Sequence, residues 1–555
     1  MWFKRTLGVL AALTVVLAAC TASPGTSGQP SGSAGASVTP AEQVLRVDIG
    51  GEPPTLDPTA ATDSASIQVL RSLTYPLAYF DKDLNVVPGL ADSWDISADG
   101  QTITFHLKEG LKYSNGDPIV AGDFVFSWKR LIDPRTAAGY SYVMADVVGG
   151  SELLGADPAT DDIDALLANF GVEAPDDSTF VVHLSHAASY FVYIATLWVT
   201  VPLEASWVST EGFTEAENYV SSGPMQLTTW EHNAQIVLQP NPNWTAGPAP
   251  TLSEIDMSMI ADPAASLGAY EADQLDIGTV PSQEVTRIQG DPTLSQQVLQ
   301  GDVLSIYYFG FDMKDPNGPF AKSLNLRKAF VESIDRTTMI QVAFGGIGSV
   351  AYSLVPPGMP GYQDTKFLDY NLDQAHADFD AAMQELGITA ADLHLQIGYN
   401  ADSNHENKVE FMQGQWTTAF GITVEPVSLE WGAYLDRLAQ DPFDIFRLGW
   451  GADYPHPNNF LTDLISCSSG NNNMGYCNES VDALLAQAAT KATLDEQVPL
   501  YNQAQDQVMA DAPIIPIRYG ARFTLIKPWV QNLVATSQDS STGELFYSWI
   551  TIAAH

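Results

Sequence analysis

Residues 444–461, DIFRLGWGADYPHPNNFL, combine side chains that could bind a positively charged group. Gly449 and Gly451 stand on either side of Trp450, and residues without a Cβ let another backbone approach closely. Asp453 follows next to a tyrosine, and a carboxylate can accept charge-assisted hydrogen bonds from an ammonium group. The pattern indicates a receptor for a cation, although a strand that ends in an Asp-Pro-rich turn explains the same residues without a ligand.

The elements that must hold this stretch in place are a mixture of strands and helices. Alternating apolar residues predict strands, and apolar residues at helical spacing between caps and glycines predict helices. The predicted strands cover residues 44–49, 102–107, 180–184, 422–427, 514–519 and the start of 444–461; the predicted helices cover 123–131, 262–275, 326–344, 371–387, 409–421, 431–438 and two parts of 480–510. Because the two kinds of element do not alternate regularly, we predict an α/β protein with several mixed sheets.

The composition of the 555 residues excludes some classes of protein. A chain of this length exceeds a single core, so we expect several domains or one large two-lobed body. The formal charge is 24 − 66 = −42, which argues against a nucleic-acid partner because phosphate binding needs clustered Lys and Arg. After residue 20 no apolar run reaches the length of a membrane span.

The first 43 residues have the pattern of an export signal followed by a tether. Lys4 and Arg5 precede an apolar stretch at 7–17, and Leu17-Ala18-Ala19-Cys20 resembles a bacterial lipobox. The resemblance implies a signal peptide at residues 1–19, cleavage before Cys20 and lipidation of that cysteine. Residues 20–43 then form a flexible linker rich in Ser, Gly, Ala, Pro and Thr. A simple export signal with a coincidental cysteine is the alternative.

The sequence gives little support for an enzyme. A Walker loop, a His-Glu-x-x-His motif and a nucleophile elbow are absent. His405-Glu406 has no second histidine four residues further on, and Gly346-Ile347-Gly348 follows a predicted helix rather than a strand. The His residues are scattered, so we expect no metal, no cofactor and no catalytic residue. A secreted hydrolase is the weaker alternative.

A series of motifs in fixed order gives the chain a family resemblance. They are residues 90–94 (LADSW), 99–110 (DGQTITFHLKEG), 113–118 (YSNGDP), 222–224 (SGP), 241–244 (NPNW), 326–330 (LRKAF), 334–336 (IDR) and 354–357 (LVPP). Together with residues 449–455 they resemble the extracytoplasmic solute-binding proteins for oligopeptides, dipeptides and nickel. Among these, the chain looks most like the oligopeptide-binding proteins of peptide importers, and the resemblance extends from about residue 44 to residue 555.

This resemblance implies a bilobed periplasmic-binding-protein-like fold with a hinge and an additional third domain. Residues 44–74, 198–304 and 521–555 would form lobe I, residues 305–520 lobe II, and residues 75–197 the extra domain. The implied function is capture of extended oligopeptides between closing lobes and their delivery to the permease subunits and cytoplasmic ATPases of an ABC importer. We expect a lipid-anchored monomer on the extracytoplasmic face of a bacterial cell membrane. An oligosaccharide-binding protein of the same fold is the alternative.

The resemblance also assigns contacts to the ligand backbone and its termini. Asp453 would bind the peptide ammonium, and the segment Gly449-Trp450-Gly451 would pair with the extended peptide as an added strand. Arg447 stands where the oligopeptide binders carry an arginine for the ligand carboxylate. An ion pair between Arg447 and one of the many acids is the alternative for that residue.

Further positions match the family's ligand cavity. His405 stands where oligopeptide binders carry a histidine that serves a longer peptide, and an exposed loop histidine is its alternative. Aromatic positions of the cavity correspond to Trp431, Trp450, Tyr140 and Tyr519, for which ordinary core packing is the alternative. Where the family has further basic partners for the carboxylate, this chain has Ala343 and Phe344, which argues against tight dipeptide binding.

Two cysteines remain after lipidation, Cys467 and Cys477. An exported compartment permits oxidation, and the Gly/Asn-rich segment between them needs closing, so we predict a disulfide. A loop this short corresponds to about 2–3 kcal/mol of stabilisation on the chain-entropy model. Two free thiols in a surface loop are the alternative.

The lipid anchor leads to a first testable prediction. Replacing the acceptor thiol in Cys20→Ala should release the protein into the medium or leave an unprocessed precursor, because stable anchoring needs the acyl chains. Fractionation of cells followed by immunoblotting measures both results. Membrane association identical to that of the wild type would contradict the prediction.

Overall fold

The computed structural model of the protein describes residues 42–401 and 405–555. The predicted signal peptide, Cys20 and nearly all of the linker lie outside the described residues. The described part is α/β with several mixed sheets, as the sequence predicted.

The strands form three larger sheets and two small ones. Strands β1 to β19 cover Val44–Asp48, Ala78–Phe80, Val86–Pro88, Ala91–Ile96, Thr102–Leu107, Val172–Asp176, Thr179–His183, Met225–Glu231, Gln235–Pro240, Glu254–Ser258, Ile277–Thr279, Val298–Phe311, Ser349–Val350, Leu395–Asn400, Val424–Leu429, Ile445–Gly451, Ile514–Ile526, Val530–Gln531 and Thr551–Ile552. The largest sheet has the order β11-β17-β12-β16-β14-β15, with β13 paired to β17. The others are β1-β10-β9-β8, β4-β5-β7-β6, β2-β3 and β18-β19.

Helices cover the sheets and connect them. Helices α1 to α17 cover Ser64–Leu73, Ala121–Ile132, Gly150–Leu154, Ile163–Ala168, Phe191–Ile194, Ala205–Val208, Pro263–Glu271, Val285–Gly290, Pro319–Lys322, Leu324–Glu332, Arg336–Ala343, Leu372–Leu386, His405–Phe420, Trp431–Gln440, Asn458–Ile465, Glu479–Ala489 and Leu494–Asp511. Short 3-10 helices lie at Ser141–Met144, Trp198–Thr200, Ser282–Glu284, Leu294–Gln297, Ala390–Asp392 and Glu544–Trp549.

The single helix predicted over residues 326–344 is wrong, since two helices, α10 and α11, share this segment. Asp335 stands between them, and its carboxylate accepts a hydrogen bond from the backbone N–H of Thr338 at 3.0 Å. An Asp in this role caps a new helix N-terminus. Asp335 is a typical N-cap residue, but the apolar pattern continues across it and therefore predicted one helix.

Strand β12 is the structural centre of the largest sheet, and the sequence analysis missed it. Its apolar half alternates between two cores: Tyr307, Phe309 and Phe311 enter one cluster, while Ile306 and Tyr308 enter the other. A strand buried on both faces in this way is held firmly in register. Helices α10 and α13 cover the first face, and helices α15 and α17 cover the second.

Another hydrophobic core contains residues from distant parts of the chain. It contains buried side chains between Leu45 and Met257 together with Leu545 to Ile552 near the C-terminus. Strand β17 runs through the predicted lobe boundary at 520/521 and pairs with β12 over most of its length and with β11 at its far end. The predicted segment boundaries of the lobes and the extra domain stay predictions.

The structure joins Cys467 and Cys477 in a disulfide, with their Cα atoms 4.6 Å apart. Inside the closed loop, the side-chain amide of Asn472 donates hydrogen bonds to the carbonyls of Ile465 at 3.2 Å, Ser466 at 3.1 Å and Tyr476 at 2.6 Å. The loop follows helix α15, so the disulfide fixes the end of the helix that supports Asp453.

Candidate ligand-binding site

Strand β16 has one covered edge and one open edge. Strand β12 pairs with it from Ser305 opposite Gly451 to Phe311 opposite Ile445. On the other side, strand β14 pairs only with Ile445 and Phe446. Beyond Phe446, no strand of the described residues pairs with this edge. The open segment is the one that the sequence analysis singled out.

The two glycines of this segment present their backbone groups to the open edge. The N–H of Ala452 donates to the carbonyl of Leu304 at 2.7 Å, and the carbonyl of Asp444 accepts a 3.0 Å bond from the residue after β12. Even-numbered residues therefore face β12, and in an antiparallel pair their neighbours face away. Gly449 and Gly451 are exposed, and a Cβ at Gly451 would meet no atom within 4 Å.

Asp453 lies just past the end of β16, and three neutral donors hold its carboxylate. The Tyr140 hydroxyl donates to Oδ1 at 3.0 Å, the Tyr142 hydroxyl to Oδ2 at 3.2 Å, and the Asn459 amide to Oδ2 at 3.1 Å. Asn459 also accepts the backbone N–H of Asp453 at 2.9 Å. Among the ion pairs of the described residues, Asp453 takes part in none. The arrangement holds a carboxylate in place without neutralising it.

A second carboxyl group, Asp463, lies beside Asp453. The Asn459 amide that binds Asp453 also donates to Asp463 at 2.9 Å, as does the Tyr454 hydroxyl at 2.9 Å. Burial, and then the charge of Asp453, raises the pKa of Asp463 to about 7. Burial also raises the pKa of Asp453, while the hydrogen bonds from Asn459 and the two tyrosines and the charge of Arg71 lower it. A cation placed here would favour the charged forms of both carboxyl groups, which burial disfavours.

Trp450 and Tyr140 belong to the same network. The Trp450 indole donates to the Asn459 carbonyl oxygen at 3.2 Å, the atom that also receives the Asp453 N–H. Tyr140 packs edge-on against Trp198, with ring centroids 4.7 Å apart. The sequence predicted these two aromatic positions at the site, and the structure brings both to Asp453.

Trp431 and Tyr519 lie in different surroundings. Trp431 is 43% exposed and stacks on Tyr434, whose hydroxyl donates to the carbonyl of Arg447 at 2.7 Å. Tyr519 is buried, and its hydroxyl bonds with Ser353. Tyr519 thus fits the core-packing alternative, whereas Trp431 stands beside the open edge through Tyr434.

Arg447 and His405 meet around one tyrosine ring. The guanidinium carbon of Arg447 lies 4.5 Å from the centroid of Tyr307, and its Nη1 donates to Asn400 at 3.2 Å. The Arg447 Nε is buried without a hydrogen-bond acceptor, and no acid among the described residues forms an ion pair with Arg447. His405 begins helix α13, is buried, and bonds through Nδ1 to the Tyr307 hydroxyl at 2.9 Å. The exposed-loop alternative for His405 is therefore wrong.

The electrostatic state of His405 differs from what its predicted role suggests. Burial, followed by the charges of Arg447 and Lys408, lowers its pKa to about 3. The imidazole is neutral at physiological pH, so it offers a hydrogen bond and not a positive charge.

Sequence reasoning missed two cations that lie next to this group. Lys408 follows His405 by one turn of α13, and Arg518 lies on β17. The Lys408 Nζ is 5.1 Å and the Arg518 guanidinium carbon 4.6 Å from the centroid of Phe344. Phe344, which stands where a basic residue was expected, is thus contacted by two cations from other segments of the chain. A lone Arg in the apolar run IIPIRYG was the available signal.

A cavity of about 330 Å³ adjoins these cations. Ala343, Phe344, Lys408 and Arg518 line one side of it, and residues 521–524 of β17 line another. The described residues therefore arrange a carboxylate end, an open strand edge and a cationic end with free volume beside it. Such a layout can bind an extended zwitterionic molecule.

No helix in the described ranges 42–401 and 405–555 has the length and apolarity to cross a bilayer. In the same ranges, no cluster of three or more His, Cys, Asp or Glu side chains is arranged to hold a metal ion.

Comparison with known proteins identifies the class. Residues 85–472 match the family model of bacterial extracellular solute-binding proteins, family 5. The chain belongs to this family. Its members bind solutes and are not enzymes, and the fold is the bilobed periplasmic-binding-protein-like one that the motifs implied.

Individual relatives span nearly the whole chain. It is 29% identical to the oligopeptide-binding protein OppA of Bacillus subtilis, over 96% of each protein. It is 30% identical to the periplasmic murein peptide-binding protein MppA of Escherichia coli, over 88% of this chain and 90% of that protein. A solved structure of MppA has a TM-score of 0.80 at 27% identity, covering 93% of this chain and all (100%) of the other. Haemophilus influenzae OppA in complex with RPPGFSPFR has a TM-score of 0.78 at 26% identity, covering 92% and 99%.

The buried imidazole of His405 yields a prediction on pH. Its folded pKa of about 3 lies below the unfolded value near 6.5. The unfolded chain therefore binds a proton more readily, and the contribution of this residue to the free energy of unfolding should fall as the pH drops from about 6.5 towards 3. Denaturant unfolding of wild type and His405→Gln across this range should show a shallower loss of stability in the variant.

NMR of ¹³C-labelled histidine measures the same property directly. The His405 resonance, assigned by its absence in His405→Gln, should keep its neutral-imidazole position from pH 8 to pH 5. A midpoint near 6.5 would contradict the buried, cation-flanked environment.

Proposed function

We propose that this protein is the substrate-binding component of an ABC peptide importer and captures extended oligopeptides on the extracytoplasmic side of the membrane. The observation that carries the proposal is the open edge of β16, which runs between the carboxylate of Asp453 and the guanidinium of Arg447. The relatives, which are oligopeptide-binding and murein peptide-binding proteins, support the same ligand class.

At one end, Asp453 would accept the ligand ammonium. Its two tyrosine donors and Asn459 fix the carboxylate, and no described residue forms an ion pair with it. Burying a charge without a partner is unfavourable, so an ammonium group removes that penalty and adds a charge-assisted hydrogen bond.

Along the middle, the ligand backbone would pair with β16. Gly449 and Gly451 turn their N–H and C=O groups to the open edge, and main-chain pairing of this kind binds peptides irrespective of their side chains. Six residue steps of about 3.3 Å place Arg447 and Asp453 no more than ~20 Å apart. That span suits short oligopeptides in an extended conformation.

At the other end, Arg447 would bind the ligand carboxylate. Tyr307 orients its guanidinium plane, and the buried Nε lacks an acceptor. Arginine binds carboxylates with paired N–H groups, which fixes geometry as well as charge. Neutral His405 would add a hydrogen bond.

The wider architecture would serve transport. Tyr140 and Tyr142 come from the segment assigned to the extra domain and Asp453 from that assigned to lobe II, so the ammonium site is completed across segments. Ligand binding would draw these segments together, and the closed form, tethered through lipidated Cys20, would deliver peptide to the permease. This scheme rests on the site, the family and the lipobox pattern.

The ammonium role of Asp453 is tested by Asp453→Asn. The amide oxygen of the variant can keep Tyr142 and Asn459, while its NH₂ can donate to Tyr140, so the network survives and only the charge is lost. Truncating a partner of a buried charge pair costs on the order of 2–5 kcal/mol. Calorimetry should therefore show binding of a free-amine peptide weakened by roughly 30-fold or more. N-acetylated peptide should bind the wild type poorly and lose little more in the variant.

Asp444→Asn is the matched control. Asp444 is a partly buried carboxyl just before the same strand, and its Oδ2 accepts the Gln396 N–H at 2.7 Å, away from the open edge. This variant should keep the preference for free over acetylated peptide. A wild type indifferent to acetylation would remove the ammonium role and favour the oligosaccharide alternative, in which the aromatic residues stack on sugars.

A further inference from the structure

Helix α1 carries an arginine, Arg71, on the side that faces the segments of the proposed site. Gln68 stands three residues earlier on the same helix and lines the cavity of about 330 Å³ together with Phe344 and Arg518. Residues three apart on a helix are neighbours on one face. Arg71 therefore lies on the face of α1 that is turned towards the segment assigned to lobe II.

One aromatic ring connects Arg71 to the ammonium site. The guanidinium carbon of Arg71 lies 5.7 Å from the centroid of Trp198. Tyr140 packs edge-on against the same tryptophan at 4.7 Å, and its hydroxyl donates to Asp453 at 3.0 Å. Arg71 is thus placed next to the point where the proposed ligand begins.

The hydrogen-bond donors of Arg71 are unused. The residue is only 9% exposed, and its Nε is buried without an acceptor. Within residues 42–401 and 405–555, its side chain forms neither a hydrogen bond nor an ion pair. A guanidinium carries five N–H donors, and buried donors are costly to leave unpaired. An acceptor from outside the chain would remove this cost.

Nearby acids supply Arg71 with negative charge but not with hydrogen bonds. The carboxylate of Glu544 accepts the backbone N–H groups of Ser540 at 3.2 Å and Ser541 at 3.1 Å, and Asp453 is held by its three neutral donors. Burial raises the pKa of Glu544 to about 7, and the charge of Arg71 opposes this shift. Arg71 opposes the effect of burial on the pKa of Asp453 in the same way. The guanidinium therefore lacks acceptors rather than counter-charge.

An extended peptide would bring uncharged acceptors to this position. Its backbone groups that face β16 pair with that strand, and the groups on its other edge need partners of their own when they are buried. A ligand ammonium at Asp453 already offsets part of the local negative charge. A neutral carbonyl can therefore complete the hydrogen bonding of Arg71 without adding another charge, and a charged donor makes that bond a strong one.

We propose that Arg71 is a ligand-binding residue that donates hydrogen bonds to a main-chain carbonyl within the first two residues of the bound peptide. An extended chain advances by ~3.3 Å per residue, so these two carbonyls stay close to the ammonium group at Asp453. Arg71 then holds the edge of the ligand that faces away from β16. The inference rests on the proposed peptide-binding function and adds to it a contact from helix α1.

Calorimetry with backbone-modified peptides tests the contact. The parent peptides are tri-, tetra- and pentaalanine, of which the length that binds best is used. Two analogues replace the first or the second amide by a trans-alkene, which removes the carbonyl and keeps the extended geometry. One analogue should lose roughly tenfold more affinity in the wild type than in Arg71→Met, because only the wild type loses a charge-assisted bond. The amide N–H is removed for both proteins, so its contribution cancels in the comparison.

The direction of the change separates a hydrogen-bond donor from a counter-charge. Arg71→Met should weaken binding of the unmodified peptide by roughly tenfold or more. If Arg71 supplied only charge, its removal would strengthen ammonium binding at Asp453, because a nearby cation is lost. Arg71→Lys keeps the charge without the planar fork and should weaken binding by roughly threefold or more. As the control, Arg287→Met removes an exposed charge that pairs with Glu271 and Glu284 and should leave the affinity unchanged.

The outcomes separate the inference from the proposed function. Thermal unfolding shows whether each variant is folded. Unchanged or tighter binding by folded Arg71→Met, or equal losses for both analogues in wild type and variant, would overturn the inference while peptide binding itself stands. If Arg71→Met does not fold, wild-type affinity in Arg71→Lys would overturn it. Failure of all the unmodified peptides to bind the wild type would contradict the proposed function and the inference with it.

Discussion

A carboxylate removed from water must be satisfied by donors or by a cation, and the side chains that donate hydrogen bonds to Asp453 are all neutral, while the charge of Arg71 acts on it without an ion pair. Tyr140 and Tyr142 approach from one segment, Asn459 from helix α15, and the disulfide loop after α15 holds that helix in place. Replacing one neutral donor by an arginine would satisfy the charge permanently and close the site to an ammonium ligand. Neutral donors therefore leave the carboxylate able to pair with the proposed ammonium ligand.

At the other end of the open segment of β16, positive rather than negative side chains lack ion-pair partners in the part of the chain that the structure describes. The protein carries a formal charge of −42, yet Arg447 and Arg518 lie over aromatic rings here and form no ion pair within the described residues. Tyr307 and Phe344 stabilise the cations through their ring faces, which an incoming carboxylate can supplement without displacing an ion pair. Between the two ends, β12 is buried on both faces and fixes the register of β16. The rigid strand thus sets the distance between two poorly compensated charges.

Much of this arrangement could be predicted from local sequence. The glycines around Trp450, the Asp453 turn, the helix that ends at Gly387 and the disulfide all depend on residues close in the chain, where spacing carries information. The parts of the site that come from distant segments could be predicted only where the family resemblance assigned a residue, as for Tyr140 and Arg447. Tyr142 and Asn459 were missed because only tertiary packing brings them to Asp453.

Lys408 and Arg518 illustrate the same limit. Lys408 lies on a helix of mixed polarity and Arg518 on a strand that also carries Arg522, and basic residues in such settings are more often solvent-exposed. Their role depends on Phe344, which lies more than 60 positions from the first and more than 170 from the second. Strand β12 was missed for a different reason: its first half is only partly buried and is interrupted by Gln300, Gly301 and Asp302, so the alternation that marks its second half does not cover the whole element.

Native mass spectrometry of freshly purified protein tests the central claim most directly, because a site with charge at both ends should retain its ligand through gentle purification. The account predicts that the wild type carries bound masses that dissociate on activation and fragment as short peptides with a free amino terminus. It also predicts that these masses are depleted in protein lacking the Asp453 charge. Bound masses that fragment as carbohydrate, or peptides retained equally without that charge, would contradict the account.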